Sequence, residues 1–196
     1  MTTLTETRWV SLVLAAGKGT RMNSDLAKVL HEIEGRSLLG HTLDTAARLP
    51  LSRTIVVVGH QAEEVKRRHA ADGVEFALQQ PQLGTGHAVI VAAPLLETEP
   101  PEADCLVLYG DVPLLRASTL HELMERHRLE GNGVTVLTAE VDDPQGYGRI
   151  IRDAHGGLLC ITEDRDLAPA QRGIREINSG IYAFQLAPLL RALGSL

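Results

Sequence analysis

The segment from Trp9 to Ala16 limits most severely what this chain can fold into, because seven of its eight residues are apolar and the exception, Ser11, is small. A strand with no polar alternation has no face to offer water, so it belongs inside a parallel sheet that is covered on both sides. The next stretch is equally restrictive: Gly17-Lys18-Gly19-Thr20-Arg21-Met22, with Lys28 six residues after Met22. A glycine loop carrying Lys18 and Arg21, with Lys28 close behind, supplies at the end of a buried strand the groups needed to grip a polyphosphate.

The chain then repeats this opening. Lys28-Val29-Leu30 precedes a turn at Gly35, and Ser37 to Leu49 has helical spacing with Ser37 as its cap and Pro50 as its stop. Thr54 to Gly59 is a second apolar strand, and Ala62 to Ala71 a charged helix with Val65 on its inner face. Val74 to Leu78 is a shorter third strand, followed by a loop, Gln79 to Gly86, and an apolar helix, His87 to Leu96. After Pro100-Pro101, Cys105 to Asp111 is a strand that ends in an acid, and Ser118 to Leu129 an amphipathic helix with Ser118 as the expected cap.

Beyond Gly133 the strand and helix rhythm stops. Val134 to Val141, Tyr147 to Arg152 and Leu158 to Thr162 are strand-like without long helices between them, which predicts an antiparallel appendage. Asp166 to Gly173 is expected to be a short helix or lid, Glu176 to Phe184 a strand and Leu186 to Leu193 a helix. The expected fold is α/β: a Rossmann-like, mostly parallel, doubly wound sheet with a small antiparallel β-rich elaboration, in one domain over residues 1–196.

Composition removes several classes of function. A formal charge of −6 argues against a nucleic-acid backbone as partner, and no apolar run reaches the ~18 residues of a membrane span. Residues 1–8 lack the apolar core of a secretion signal, so a cytoplasmic protein is expected. Cys105 and Cys160 both sit in apolar runs and are expected to be buried, reduced thiols. The eight histidines show no ligand spacing, and no Gly-x-Ser-x-Gly elbow exists for a serine hydrolase.

Ligands of open α/β sheets bind outside the carboxyl ends of the strands. The first glycine loop, the loop from Gln79 to Gly86 and Asp111 all fall at such ends. The first loop fits neither common nucleotide fingerprint, since Gly19 stands where a Walker loop needs Ser or Thr and no third glycine follows. Taken alone it is a glycine turn with either bound or solvated cations. Asp111 suits magnesium, which takes one or two carboxylates plus substrate phosphates, and equally suits a cap on the turn at Val112-Pro113. Gln79 and Gly84-Thr85-Gly86 offer amide and backbone groups to a base, while Thr85 also suits a helix cap. Glu163 and Asn178 suit sugar hydroxyls or ordinary surface roles.

Five segments carry a family resemblance: Leu14 to Met22 with Lys28, Gln79-x-x-Gln82-Leu83-Gly84-Thr85-Gly86-His87-Ala88, Tyr109-Gly110-Asp111-Val112-Pro113-Leu114, Asp143-Pro144-x-Gly146-Tyr147-Gly148-Arg149-Ile150, and Glu176-Ile177-Asn178-Ser179-Gly180. In order and over nearly the whole chain they resemble the N-terminal uridylyltransferase domain of the bacterial bifunctional UDP-N-acetylglucosamine pyrophosphorylase/glucosamine-1-phosphate N-acetyltransferase family. The resemblance implies a nucleotidyltransferase fold and the conversion of UTP and N-acetylglucosamine 1-phosphate to UDP-N-acetylglucosamine and pyrophosphate for cell-wall precursors. It implies a nucleotide site of Leu14, Ala15, Ala16, Gly17, Lys28, Gln79, Gly84 and Thr85, with Arg21 and Lys28 as the catalytic cations on the phosphates. It further implies Mg²⁺ on Asp111 and a sugar pocket of Tyr109, Gly110, Gly148, Glu163 and Asn178.

Three departures shape these expectations. Ala27 replaces the proline usual in the family before Lys28, which is expected to loosen the loop slightly. Asp164-Arg165 replaces the common His-Lys after Glu163. The family also continues into a segment with a second magnesium ligand and a trimer-forming β-helix acetyltransferase domain, so a fragment without that domain and without assured trimer contacts is expected. The competing expectations are a fragment that binds nucleotide with little turnover, and a related nucleotidyltransferase with another nucleotide or sugar phosphate.

Overall fold

The computed structural model describes residues 8–19 and 24–195. They fall into two compact units, one running to Thr135 and resuming at Tyr182, the other Val136–Ile181.

In the first unit, β1 (Trp9–Ala15) is buried at every position, as its unbroken apolar sequence requires. A two-residue hairpin, β2 (Glu32–Ile33) and β3 (Arg36–Ser37), turns at Gly35, whose φ of 75° is a conformation glycine adopts without penalty. It delivers the chain to α1 (Leu38–Ala46), where the Ser37 hydroxyl caps the helix by accepting from Gly40 N–H at 3.0 Å. β4 (Arg53–Val58), α2 (Ala62–His69), β5 (Glu75–Leu78), α3 (Thr85–Leu96), β6 (Asp104–Tyr109) and α4 (Ala117–Leu129) follow.

The expected cap of α4 is corrected. Arg116 is its N-cap and makes no side-chain cap bond, and Ser118 lies inside the first turn. The sequence Arg-Ala-Ser permits either start, and the Arg116 carbonyl already accepts from Thr119 and Leu120.

β4 and β6 both pair with β1 in parallel, and β5 adds to β4 in parallel. The order β5-β4-β1-β6 means that the chain winds outward on one side of β1 and then returns to its other side. This is a doubly wound sheet with its switch point at β1. After the second unit, Tyr182 to Gln185 run antiparallel beside β6, and the last helix, α5 (Leu186–Leu193), packs on α3.

Alternate residues of β1 face opposite layers. Val10, Leu12 and Leu14 join Ile55, Val57, Cys105 and Val107 in a core with Ala92 and Leu96 of α3 and Leu186 of α5. On the other face Trp9 meets the His127 ring edge-on at 5.7 Å, which puts α4 against that layer. Burial holds the Cys105 thiol protonated, pushed up to about 12.

The second unit holds most of β7 (Val134–Glu140), then β8 (Arg149–Arg152), β9 (Leu158–Thr162) and the start of β10 (Glu176–Gln185). β8 pairs antiparallel with β9 and with β10, as the sequence predicts for this region. The expected helix or lid at 166–173 consists of short 3-10 turns, Asp164–Asp166 and Pro169–Gln171.

Cys160 corrects a second expectation, because it is exposed. It lies on β9, where Leu158 and Leu159 are exposed too, so an apolar run does not guarantee burial on an edge strand. Arg152 meets Glu176 through two bonds of 2.8 and 2.6 Å and, with Thr138, holds its carboxyl below the ordinary carboxylate range.

Two outcomes are expected. Leu12→Ala, at a fully buried position, should lower unfolding stability by about 2–5 kcal/mol in a urea titration. Because the Glu176 pKa is depressed in the fold, its contribution is complete above the ordinary carboxylate pKa and is lost as pH falls below it. The acid-induced drop in urea midpoint should therefore be smaller in Arg152→Gln than in the parent.

Candidate functional site

At the carboxyl end of the first unit's sheet, a cleft of about 530 Å³ opens where the strand order reverses. Its walls come from three stretches far apart in sequence: Leu14 to Gly19 with Lys28 and Val29, then Gln79 to Ala88, then Tyr109 and Asp111.

Each wall is positioned by backbone that approaches closely. The Leu14 carbonyl accepts from Gly110 N–H at 2.9 Å, and a Cβ on Gly110 would stand 3.2 Å from both Ala15 Cβ and Leu39 Cδ1. Gly110 thus lets β6 run tight against β1, and it is not among the cleft-lining residues. The Ala16 carbonyl accepts from Gln82 Nε2 at 2.9 Å and from His60 N–H at 3.3 Å. A Cβ on Gly59 would come within 2.6 Å of that same Gln82 nitrogen and 2.9 Å of Ala16.

Sequence reasoning gives Gln82 no role of its own, yet it both lines the cleft and pins the loop after β1. The signal lies in the Gln79-x-x-Gln82 spacing, but nothing in one sequence says which carbonyl a glutamine will find.

Gln79 is buried, and its amide nitrogen donates to the Gly84 carbonyl at 2.8 Å and lies 3.2 Å from His87 Nδ1. It is a strut for the turn that opens α3. Gly84 is the helix's N-cap, with a φ of 102° that favours glycine, and Thr85 is the first helical residue. The Thr85 hydroxyl stands 3.5 Å from the Tyr109 hydroxyl, so the second and third walls meet at these two side chains. Gly84, Thr85 and Ala88 line the cleft, and the first N–H groups of a helix lack intrahelical acceptors.

Among the described residues, the charged groups lining the cleft, Lys18, Lys28 and Asp111, are all ones the sequence singles out. Lys28 heads a 3-10 turn, Lys28–Leu30, and its Nζ forms an ion pair with Asp111 Oδ2. Both side chains retain solvent access, at 42% and 23%, so the pair faces the cleft and is not sealed in the core. Gly19, with φ 65°, lies so close to Lys28 that a Cβ there would be 2.7 Å from Lys28 Cβ. Lys18 lines the cleft as well and is exposed. Arg21 lies outside the described residues.

The replacement of proline by Ala27 has a structural counterpart. Ala27 is fully buried, and its N–H, which a proline lacks, donates to Gln61 Oε1 at 2.8 Å. A hydrogen bond stands where a ring would have stiffened the chain.

The remaining sequence-derived residues belong to the second unit, which brings three of them together. Asn178 N–H donates to the Gly148 carbonyl at 2.8 Å, and a Cβ on Gly148 would lie 3.7 Å from Asn178 Cβ and 3.8 Å from Glu163 Oε1. The buried Arg149 braces this cluster: its guanidinium donates to the Ile174 carbonyl at 3.0 Å, to the Tyr147 carbonyl and to Asp164 Oδ1 at 2.8 Å. Asp164, which departs from the family pattern, therefore serves as the counter-ion of a buried arginine. Arg165 stays exposed beside Asp166.

Comparison with known proteins agrees with this architecture. Among curated relatives, the bifunctional protein GlmU of Burkholderia orbicola strain AU 1054 is 53% identical over 185 residues, 94% of this chain and 40% of the relative. The GlmU proteins of Paraburkholderia xenovorans LB400 (54% over 170 residues, 87% and 36%) and Cyanothece sp. PCC 7425 (51% over 185 residues, 94% and 40%) are similarly close. The chain thus spans about two fifths of the length of the curated relatives it matches. Among solved structures, a CMP:2-keto-3-deoxy-manno-octonic acid synthetase complexed with CTP superposes with a TM-score of 0.72 over 97% of this chain and 78% of that one. At 18% identity this likeness concerns the fold. The MobA-like NTP transferase domain matches residues 11–177, and the chain belongs to that family.

Proposed function

We propose that this chain is a uridylyltransferase domain that joins UTP and N-acetylglucosamine 1-phosphate, giving UDP-N-acetylglucosamine and pyrophosphate. The observation that carries the reading is the meeting, in one cleft at the switch point of the sheet, of Lys28, Asp111 and the Gln79-Gly84-Thr85 turn. Relatives 51–54% identical that bear the name bifunctional protein GlmU support the substrate class that the sequence resemblance implies.

In this reading the nucleotide lies along Leu14 to Gly17, with its base toward Gln79, Gly84 and Thr85 and its phosphates toward Lys28 and Arg21. An incoming triphosphate gives Lys28 a stronger anionic partner than one carboxylate, and its departure from the ion pair frees Asp111. The donor set suits Mg²⁺. Asp111 offers one partly exposed carboxylate, no group of three or more His, Cys, Asp or Glu side chains forms a closed cage among the described residues, and phosphates and water complete such a shell. When bound, Mg²⁺ neutralises phosphate charge and polarises the phosphoryl oxygens.

The sugar phosphate attacks the α-phosphate in line, so the protein needs no covalent intermediate. Its residues act by binding the reactants and by setting Lys28 against the charge that shifts to pyrophosphate. Sugar hydroxyls and the acetamido group are assigned to Gly148, Glu163 and Asn178, the cluster braced by Arg149. A cytoplasmic role in cell-envelope precursor synthesis belongs to the same reading. No helix among the described residues is long and apolar enough to cross a membrane.

Pyrophosphate release from UTP, CTP, GTP and ATP, each with N-acetylglucosamine 1-phosphate, glucose 1-phosphate or no acceptor, tests the proposal. Release confined to UTP with the N-acetylated sugar is expected. Binding of UTP without release would leave a nucleotide-binding module, and preference for another pair would reassign the substrates. Lys28→Ala should lower turnover by a factor of roughly 10² through loss of charge stabilisation. In Asp111→Asn the Mg²⁺ titration of turnover should weaken and shift to higher concentration, and a titration identical to the parent's would remove Asp111 as a ligand.

A further inference from the structure

Gln61, the residue before α2, has a backbone that its side chain does not favour. It sits in the left-handed region, φ 52° and ψ 38°, which residues with a Cβ enter at a cost. Its side chain spans 34 positions of sequence to reach the segment just before Lys28. Oε1 accepts from Ala27 N–H at 2.8 Å, and Nε2 donates to the Asp25 carbonyl at 2.9 Å. Both ends of one amide are thus spent on two backbone groups two residues apart. Ala27 is fully buried, and among the described residues Gln61 is the only acceptor of its N–H. A buried N–H without its acceptor is unfavourable, so the segment depends on this side chain to keep its path.

We infer that Gln61 is a positioning residue for Lys28, clamping backbone 25–27 so that the ammonium group enters the cleft at a set place. The inference rests on the reading that Lys28 meets a nucleotide's phosphates. Two facts separate the clamp from a simple role in starting α2. The helix takes its first bond from the Gln61 backbone carbonyl, which accepts from Val65 N–H at 3.0 Å and survives loss of the side chain. Alanine also carries a Cβ, so Gln61→Ala removes the amide contacts without relieving the strain of the left-handed backbone.

The test combines hydrogen exchange with UTP–Mg²⁺ binding by calorimetry in four proteins: the parent, Gln61→Ala, Lys28→Ala and the double variant. Exchange at the Ala27 amide should accelerate by about tenfold or more in Gln61→Ala while amides of β1 and β4 keep their protection. UTP affinity should fall roughly five- to twentyfold in Gln61→Ala and by no more than about twofold on adding that change to Lys28→Ala, since the effect is routed through the lysine. In Gln61→Glu, which keeps an acceptor for Ala27 but turns a carboxylate oxygen toward the Asp25 carbonyl, a partial loss is expected. Unchanged exchange at Ala27, or an equal affinity loss with and without Lys28, overturns the inference. A parent chain that binds no nucleoside triphosphate overturns the proposed function, and the exchange measurement still decides whether Gln61 sets the path of this segment.

Discussion

The carboxyl end of β1 is the constraint on which the site depends. The carbonyls of Leu14 and of Ala16, the residue just after the strand, are taken by groups from three separate parts of the chain: Gly110 after β6, His60 after β4 and Gln82 after β5. These bonds need backbones closer than side chains normally allow, which is why glycine stands at 59 and 110. Once they form, the loops after four parallel strands are held to a common centre. Individually such bonds contribute about 1 kcal/mol each, and their effect here is geometric, because each also fixes one wall of the cleft.

Rigidity and charge are divided between different groups. The walls are set by neutral struts, with Gln79, Gln82 and Gln61 each spending an amide on a backbone carbonyl or N–H. The charged groups, Lys18, Lys28 and Asp111, stay on the solvent side of the cleft. In the proposed reading, an anionic ligand would meet these solvent-accessible cations on walls held by neutral amides. The second unit repeats the division in another form, since the buried Arg149 braces the loops while Glu163 and Asn178 remain beside Gly148.

Most of the elements are legible in the sequence because the signals are local. The stretches at 9–16, 54–59 and 105–111 mark strands, and β1, β4 and β6 follow them to within a residue or two. Ser37 before an apolar periodic stretch marks a cap, and α1 uses it. The failures have the opposite character. Ser118 has the right chemistry for a cap, but the helix starts at Ala117. Cys160 sits in an apolar run, yet its strand has too little of the protein over it to be buried. Both outcomes depend on neighbours supplied by the rest of the fold.

The α/β class, the positions of the parallel strands and the residue types around the cleft are written in the chain itself, because periodicity, glycine loops and charged groups are properties of short segments. What those residues touch is settled by folding. It pairs Lys28 with Asp111, makes Gln79 and Gln82 into struts and supplies Gln61 as the partner of Ala27. Those pairings join positions 34 to 83 residues apart in three of the four cases. The physical reason is that a hydrogen bond or ion pair is specified by the meeting of two groups within about 3 Å, and that meeting is set by sheet order and crossover geometry, which no single segment encodes.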